Sequence, residues 1–98
     1  MVIVDEIILY PNARPPFDKG SCHMSTDGDI EELHAFAARI GMRRSWFQDH
    51  PSMPHYDLTP KRREAAIRAG ATFVSWRQLA QERRAKKMAK RLAEGSDL

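Results

Sequence analysis

His55, Tyr56 and Asp57 set an imidazole, a phenol and a carboxylate side by side, directly ahead of Thr59-Pro60 and the cations Lys61, Arg62 and Arg63. A histidine titrates near neutral pH and a carboxylate can orient it, so this trio holds the groups that general acid–base catalysis needs. His23 and His34 add two imidazoles, and Asp5 adds a carboxylate. Imidazole and carboxylate are also the donor types of zinc, manganese and iron sites. Asp5, His23, His55 and Asp57 are therefore candidate ligands for a divalent metal. No HExxH or CxxC spacing supports that reading, and the adjacent pair Cys22-His23 is poorly placed to chelate one ion. The plainer alternative is a structural corner, with Asp57 accepting backbone N–H groups and His55 packing on Trp46. Asp5 is then a surface aspartate at a strand end, and His34 a packing histidine.

Lys61, Arg62 and Arg63 fall in the first turn of a helix announced by Thr59 as N-cap and Pro60 at the first helical position. Helix N-termini attract anions through free N–H groups and the helix dipole, and cations there oppose that dipole unless an anion is present. A phosphate site or a solvated basic turn follows. A third basic group is larger: Arg83, Arg84, Lys86, Lys87, Lys90 and Arg91 suit a phosphate backbone, with no aromatic residue interleaved for base stacking.

These side chains need a scaffold. Val2-Ile3-Val4 reads as a buried strand ending at Asp5, and Ile7 to Tyr10 as its extension or a second strand. Pro11, Pro15, Pro16 and Gly20 then enforce a loop reaching Met24 and carrying Cys22-His23. Asp29 caps the clearest helix, with Glu32 completing a capping-box pattern; Ile30, Leu33, Phe36, Ala37 and Ile40 form its apolar stripe, and Gly41 ends it. Met42 to Gln48 reads as a strand weighted by Trp46 and Phe47, and residues 49–54 as a loop. The Thr59-capped helix runs to Gly70, 71–75 is a strand, and Trp76 opens the last helix.

Strand, helix, strand, helix, strand, helix predicts a small single-domain α/β sandwich with a three-stranded, mostly parallel sheet. The last helix breaks its own pattern. Trp76, Leu79 and Ala80 share a face that continues as Arg83, Lys86, Lys87 and Lys90, so core contact should end near Ala80 and the remainder project, bend or pack on a partner. Residues 1–82 form the expected core domain and residues 83–98 a basic helical extension.

Charge follows that division. From Arg83 onward six basic and two acidic residues give +4, whereas residues 1–82 carry ten and eleven, giving −1. No apolar run nears the ~20 residues of a membrane span. A start without a basic n-region and a single cysteine point to a reducing, cytoplasmic setting.

Several segments together, Asp5 after its apolar run, Ser21-Cys22-His23, Glu32 to Ala37, Trp46-Phe47-Gln48, His55-Tyr56-Asp57, Ala69-Gly70-Ala71 and Val74-Ser75 with Arg77, resemble the domain of unknown function 4031 family of bacteria and phages. The likeness spans Asp5 to Leu79 and implies that His23, His34, His55, Asp57 and Arg77 share one site. It assigns no reaction. Near Cys22 and Tyr10 the chain departs from that family's pattern, which has an aromatic residue and a tryptophan there. A phage member would act in a host cytoplasm, so a host protein joins the expected partners.

Three functions follow as expectations. The first is a module binding a phosphorylated ligand, nucleotide or nucleic acid, at the Thr59 helix start. His23, His34, His55, Tyr56, Lys61, Arg62 and Arg77 would contact the ligand, and the basic tail would attract it. The second is a phosphoesterase or nuclease-like hydrolase, metal-dependent or not, with His55, Asp57 and His23 catalytic and Asp5 as orienter or ligand. The third is an inhibitor that covers a host factor with its Met88 and Leu92 face.

Overall fold

Val2–Val4 forms strand β1, buried at every position as its β-branched run predicts. β1 lies inside a four-stranded mixed sheet in the computed structural model, which describes residues 1–95. Strands β2 (Cys22–Thr26), β3 (Tyr56–Leu58) and β4 (Thr72–Phe73) complete the sheet in the order β3-β2-β1-β4. β1 pairs antiparallel with β2 and parallel with β4, and β2 pairs antiparallel with β3. The expected three-stranded, mostly parallel sheet is thus corrected to four strands with one parallel pair.

Two local readings account for the difference. Cys22–Thr26 is a strand and no loop, because Cys22 and Met24 alternate inward against His23 at the strand period. Its polar composition hides this short alternation. Met42–Gln48 is no strand: Arg44–Trp46 makes a 3-10 turn, and Gln48 touches the sheet only through one bridge to His55. The segment lacks alternation, and its aromatics go separate ways. Trp46 is exposed beneath the guanidinium groups of Arg43 and Arg62, while Phe47 packs on His34. Ile7–Tyr10 likewise forms no strand, Ile8 making a single bridge to Ser21. Gly20 completes the turn there with φ 106°, and an added Cβ would lie 2.5 Å from Ile7 Cγ2.

The helices follow their local signals. Helix α1 (Ile30–Arg39) is capped by Asp29, whose side chain accepts from the Glu31 N–H, and it buries Leu33, Phe36 and Ala37. Glu32 does not close a capping box; its carboxylate pairs with the Met1 amino group at 2.7 Å. Helix α2 (Pro60–Arg68) is capped by Thr59, whose hydroxyl accepts from the Arg62 N–H. Leu33, Phe36, Ala37 and Ala66 share one core with Val2, Val4, Cys22, Met24, Tyr56 and Leu58, so α1 and α2 cover one face of the sheet. Burying the core's Val, Leu, Phe and Met side chains contributes about 1.5–3 kcal/mol each.

Helix α3 (Trp76–Gly95) begins beside the other face. Leu79, Ala80 and Arg83 are half-buried, and every residue from Arg84 to Ala93 is exposed. Of the expected extension, residues 96–98 lie outside the described part. No helix among the described residues is long and apolar enough to cross a membrane.

Candidate functional site

Strand alternation sorts the polar residues. Cys22, Met24, Tyr56 and Leu58 point into the core, so their neighbours His23 and Asp57 point to the opposite face. The antiparallel register sets His23 against Asp57, and the Asp5 N–H donates to the His23 carbonyl across the β1–β2 pair. Asp5, His23 and Asp57 therefore form a row across three adjacent strands, and His55, at the entry to β3, joins it.

Asp5 is fully buried, and its carboxylate accepts from the His23 N–H at 2.6 Å and pairs with His23 Nδ1 at 2.8 Å. A buried carboxylate is costly unless bonded in this way. Its backbone carbonyl accepts from Arg63 Nε at 2.9 Å, and the Arg63 guanidinium lies over the Phe73 ring. The Arg63 side chain thus braces the strand end from α2.

His55 is held differently. Its Nδ1 lies 2.8 Å from the Met53 carbonyl, and its Nε2 lies 3.4 Å from Asp57 Oδ1. The nearby Asp57 carboxylate holds the His55 imidazolium above its ordinary range against the opposing effect of burial, and His55 holds Asp57 below the usual carboxylate range. The two imidazoles meet edge to face, with centroids 4.9 Å apart. The ligand atoms of His23, His55 and Asp57 all lie within 4.8 Å of one another, the one such metal-capable group of histidine, cysteine and acid among the described residues. Asp5 is one step behind, reaching the group through His23.

Other expected residues are placed elsewhere. His34 lies among the α1 and sheet aromatics, its Nδ1 2.7 Å from the Tyr56 hydroxyl and its ring edge-on to Phe47. Tyr56 is wholly buried, and burial raises its phenol above its ordinary value. The pair His34–Tyr56 is thus a hydrogen bond on the core side of the sheet, away from His23 and His55. Arg62 Nη1 reaches the Ile40 and Gly41 carbonyls at 3.3 Å, satisfying acceptors left free where α1 ends. Lys61 is exposed at the rim of a hollow, and Arg77 is exposed on α3 outside the hollows that adjoin the histidines. Cys22 is buried beside the site, its thiol pushed up to about 12 by burial, with the charge of Asp5 adding. That thiol is no nucleophile near neutral pH.

One residue joins the site that the sequence motifs do not single out. His50 stands 6.5 Å from His55 between ring centroids, its Nδ1 held by Ser52, and lines the same hollow. Its position five residues before His55, in a loop that returns to the sheet, was the available signal. Arg63, one of the three cations at the α2 start, joins the site by bracing the Asp5 carbonyl.

Three hollows adjoin this cluster. One, of about 640 Å3, lies between His23 and His55 and the face of α3 carrying Trp76, Arg83, Arg84 and Lys87. A second, of about 830 Å3, reaches Asp57 from the Thr59 helix start and is lined by Trp46, Lys61, Arg62 and Arg68. A third, by the proline loop, touches His23, His55 and Asp57 together.

A mixed four-stranded sheet, with two helices on one face and a histidine–aspartate row on the other, defines a small α/β protein with a polar site at the sheet surface. The profile of the family described as "Protein of unknown function (DUF4031)" matches residues 2–86, and the chain belongs to that family. No curated protein and no solved structure matches the chain.

Proposed function

We propose that the protein binds a phosphorylated ligand, with a nucleic-acid strand favoured over a single nucleotide. One observation carries this reading. Two hollows, each lined by three cations and a tryptophan, meet the same histidine–aspartate cluster from different sides of its residues. Each is within the size range of small-ligand pockets. A mononucleotide would occupy one of them, whereas a strand passing the histidines engages both sets of cations. Trp76, half-exposed at the mouth of the α3 hollow, offers a face for base stacking that the basic segment itself lacks. The phosphate would lie at the centre, beside the histidine–aspartate row, with Lys61 and Arg62 on the α2 side and Arg83, Arg84 and Lys87 on the α3 side.

The test is fluorescence anisotropy with labelled single-stranded RNA and DNA, competed with mononucleotides. The strand should bind more tightly than any mononucleotide, and Arg84→Glu with Lys87→Glu should weaken it at least tenfold. Equal affinity for strand and mononucleotide, or indifference to the charge reversals, overturns the reading.

A second reading, phosphoester hydrolysis, is favoured by the approach of His55 to Asp57. Here His55 takes a proton from water as the water oxygen bonds to phosphorus. The P–O ester bond then breaks, and the leaving oxygen takes a proton from the imidazolium. A phosphodiesterase screen in which wild type turns over and His55→Ala does not supports it; absence of turnover leaves binding alone.

A further inference from the structure

We propose that His23, His55 and Asp57 bind a divalent transition-metal ion, with Asp5 fixing His23 from behind. The hydrogen bonds of the two histidines carry most of the case. Each imidazole has its Nδ1 against an oxygen acceptor: Asp5 Oδ2 for His23, and the Met53 carbonyl for His55. A carbonyl oxygen and an ionised carboxylate only accept, so each Nδ1 carries the hydrogen. In the neutral ring the lone pair then resides on Nε2, which is the arrangement of a metal-bound histidine whose second nitrogen donates to a carboxylate or carbonyl. Two such rings stand edge to face beside the Asp57 carboxylate. Together they offer three donor atoms to one cation.

Distances agree. Bonds of about 2.0–2.2 Å to a tetrahedral ion separate its ligand atoms by roughly 3.3–3.6 Å. His55 Nε2 and Asp57 Oδ1 are 3.4 Å apart, long for a hydrogen bond but close to one edge of that tetrahedron. The full set, within 4.8 Å, closes around an ion with a contraction of about an ångström. Asp57 and His23 are not fully packed, with 38% and 22% of their side-chain surface exposed, which leaves room for that movement.

Asp5 supports the same conclusion from below the surface. A wholly buried carboxylate, bonded twice to one residue, is a costly way to hold a purely structural histidine, and an ordinary way to orient and strengthen a ligand. The donor set of two imidazoles and one carboxylate suits zinc, manganese or ferrous iron and leaves positions open. Those positions adjoin the hollows toward α3 and the proline loop, where water or a phosphoryl oxygen can enter. The metal site does not depend on the cleft reading, because metal uptake is measured with no phosphorylated ligand present.

Untagged full-length protein, stripped with EDTA, is dialysed separately against Zn2+, Mn2+ and Co2+, and its metal content is measured by mass spectrometry. Wild type should take up about one ion per chain of at least one of these, as expected for a formed site. His55→Ala and Asp57→Ala should lose it, while His34→Ala should keep it. Asp5→Asn keeps every ligand and should weaken binding by about 10–100-fold. Circular dichroism confirms that the variants are folded. For any that are not, a zinc titration of wild type followed by nitrogen NMR of the imidazoles replaces them: the Nε2 signals of His23 and His55 should shift, and those of His34 should not. Uptake of none of the three metals, uptake unchanged in His55→Ala, or shifts confined to other histidines overturns the proposal.

Discussion

His23 and His34 look interchangeable in the sequence, yet they sit on opposite faces of one sheet and are held by different partners. His23 meets a buried carboxylate, whereas His34 meets the hydroxyl of Tyr56. Removing that hydroxyl leaves the environment of His23 and His55 untouched but leaves His34 Nδ1 without its partner. Tyr56→Phe should therefore lower stability by about 1–2 kcal/mol, read as a shifted urea midpoint, with metal uptake and strand binding unchanged. Arg62 shows a related contrast. Its guanidinium closes the end of α1 and covers Trp46, so Arg62→Ala should reduce stability by about 1–2 kcal/mol, measured in the same way, whatever it does to ligand affinity. Residue type announces which chemistry is available. Which partner satisfies it depends on distant segments, and that is why Arg63, bonded to the Asp5 carbonyl, looked no different from Lys61.

At the scale of elements, signals that act within one turn were legible. Asp29 and Thr59 bond the first turns of the helices that they were expected to cap. Thr59→Ala should cost about 1 kcal/mol by the same denaturation measurement. The strands were harder to read. β2 has five residues, β3 three and β4 two, too few for alternation to stand out from composition. Only pairing with β1 and β3 makes Cys22–Thr26 a central strand. The turn that admits β2 depends on Gly20, where both the positive φ and the contact with Ile7 exclude a side chain. Gly20→Ala should destabilise by more than about 1 kcal/mol, and because β2 carries His23 it should weaken metal uptake as well. Normal uptake in a destabilised Gly20→Ala would separate the turn from the site.

Across the whole molecule, charge and exposure divide at α3. The body is near neutral, and the cations of Arg83 onward stand on a helix exposed from Arg84 to Ala93. Amides in that stretch should exchange faster than those of α1, a contrast that hydrogen exchange followed by mass spectrometry will show. If three of these cations meet phosphates, the logarithm of strand affinity should fall with the logarithm of salt at a slope of about −2, and the Arg84→Glu and Lys87→Glu pair should flatten it. The sequence by itself determined β1, the two capped helices of the core, the basic last helix and the menu of imidazole and carboxylate groups. All of these follow from patterns repeated within a few residues. The sheet order, and with it the convergence of His23, His55 and Asp57 over a buried Asp5, was decided only by the tertiary structure. An antiparallel register between segments far apart in the chain aligns Asp57 with His23, and the strand period then sends both to the face that α1 and α2 leave uncovered.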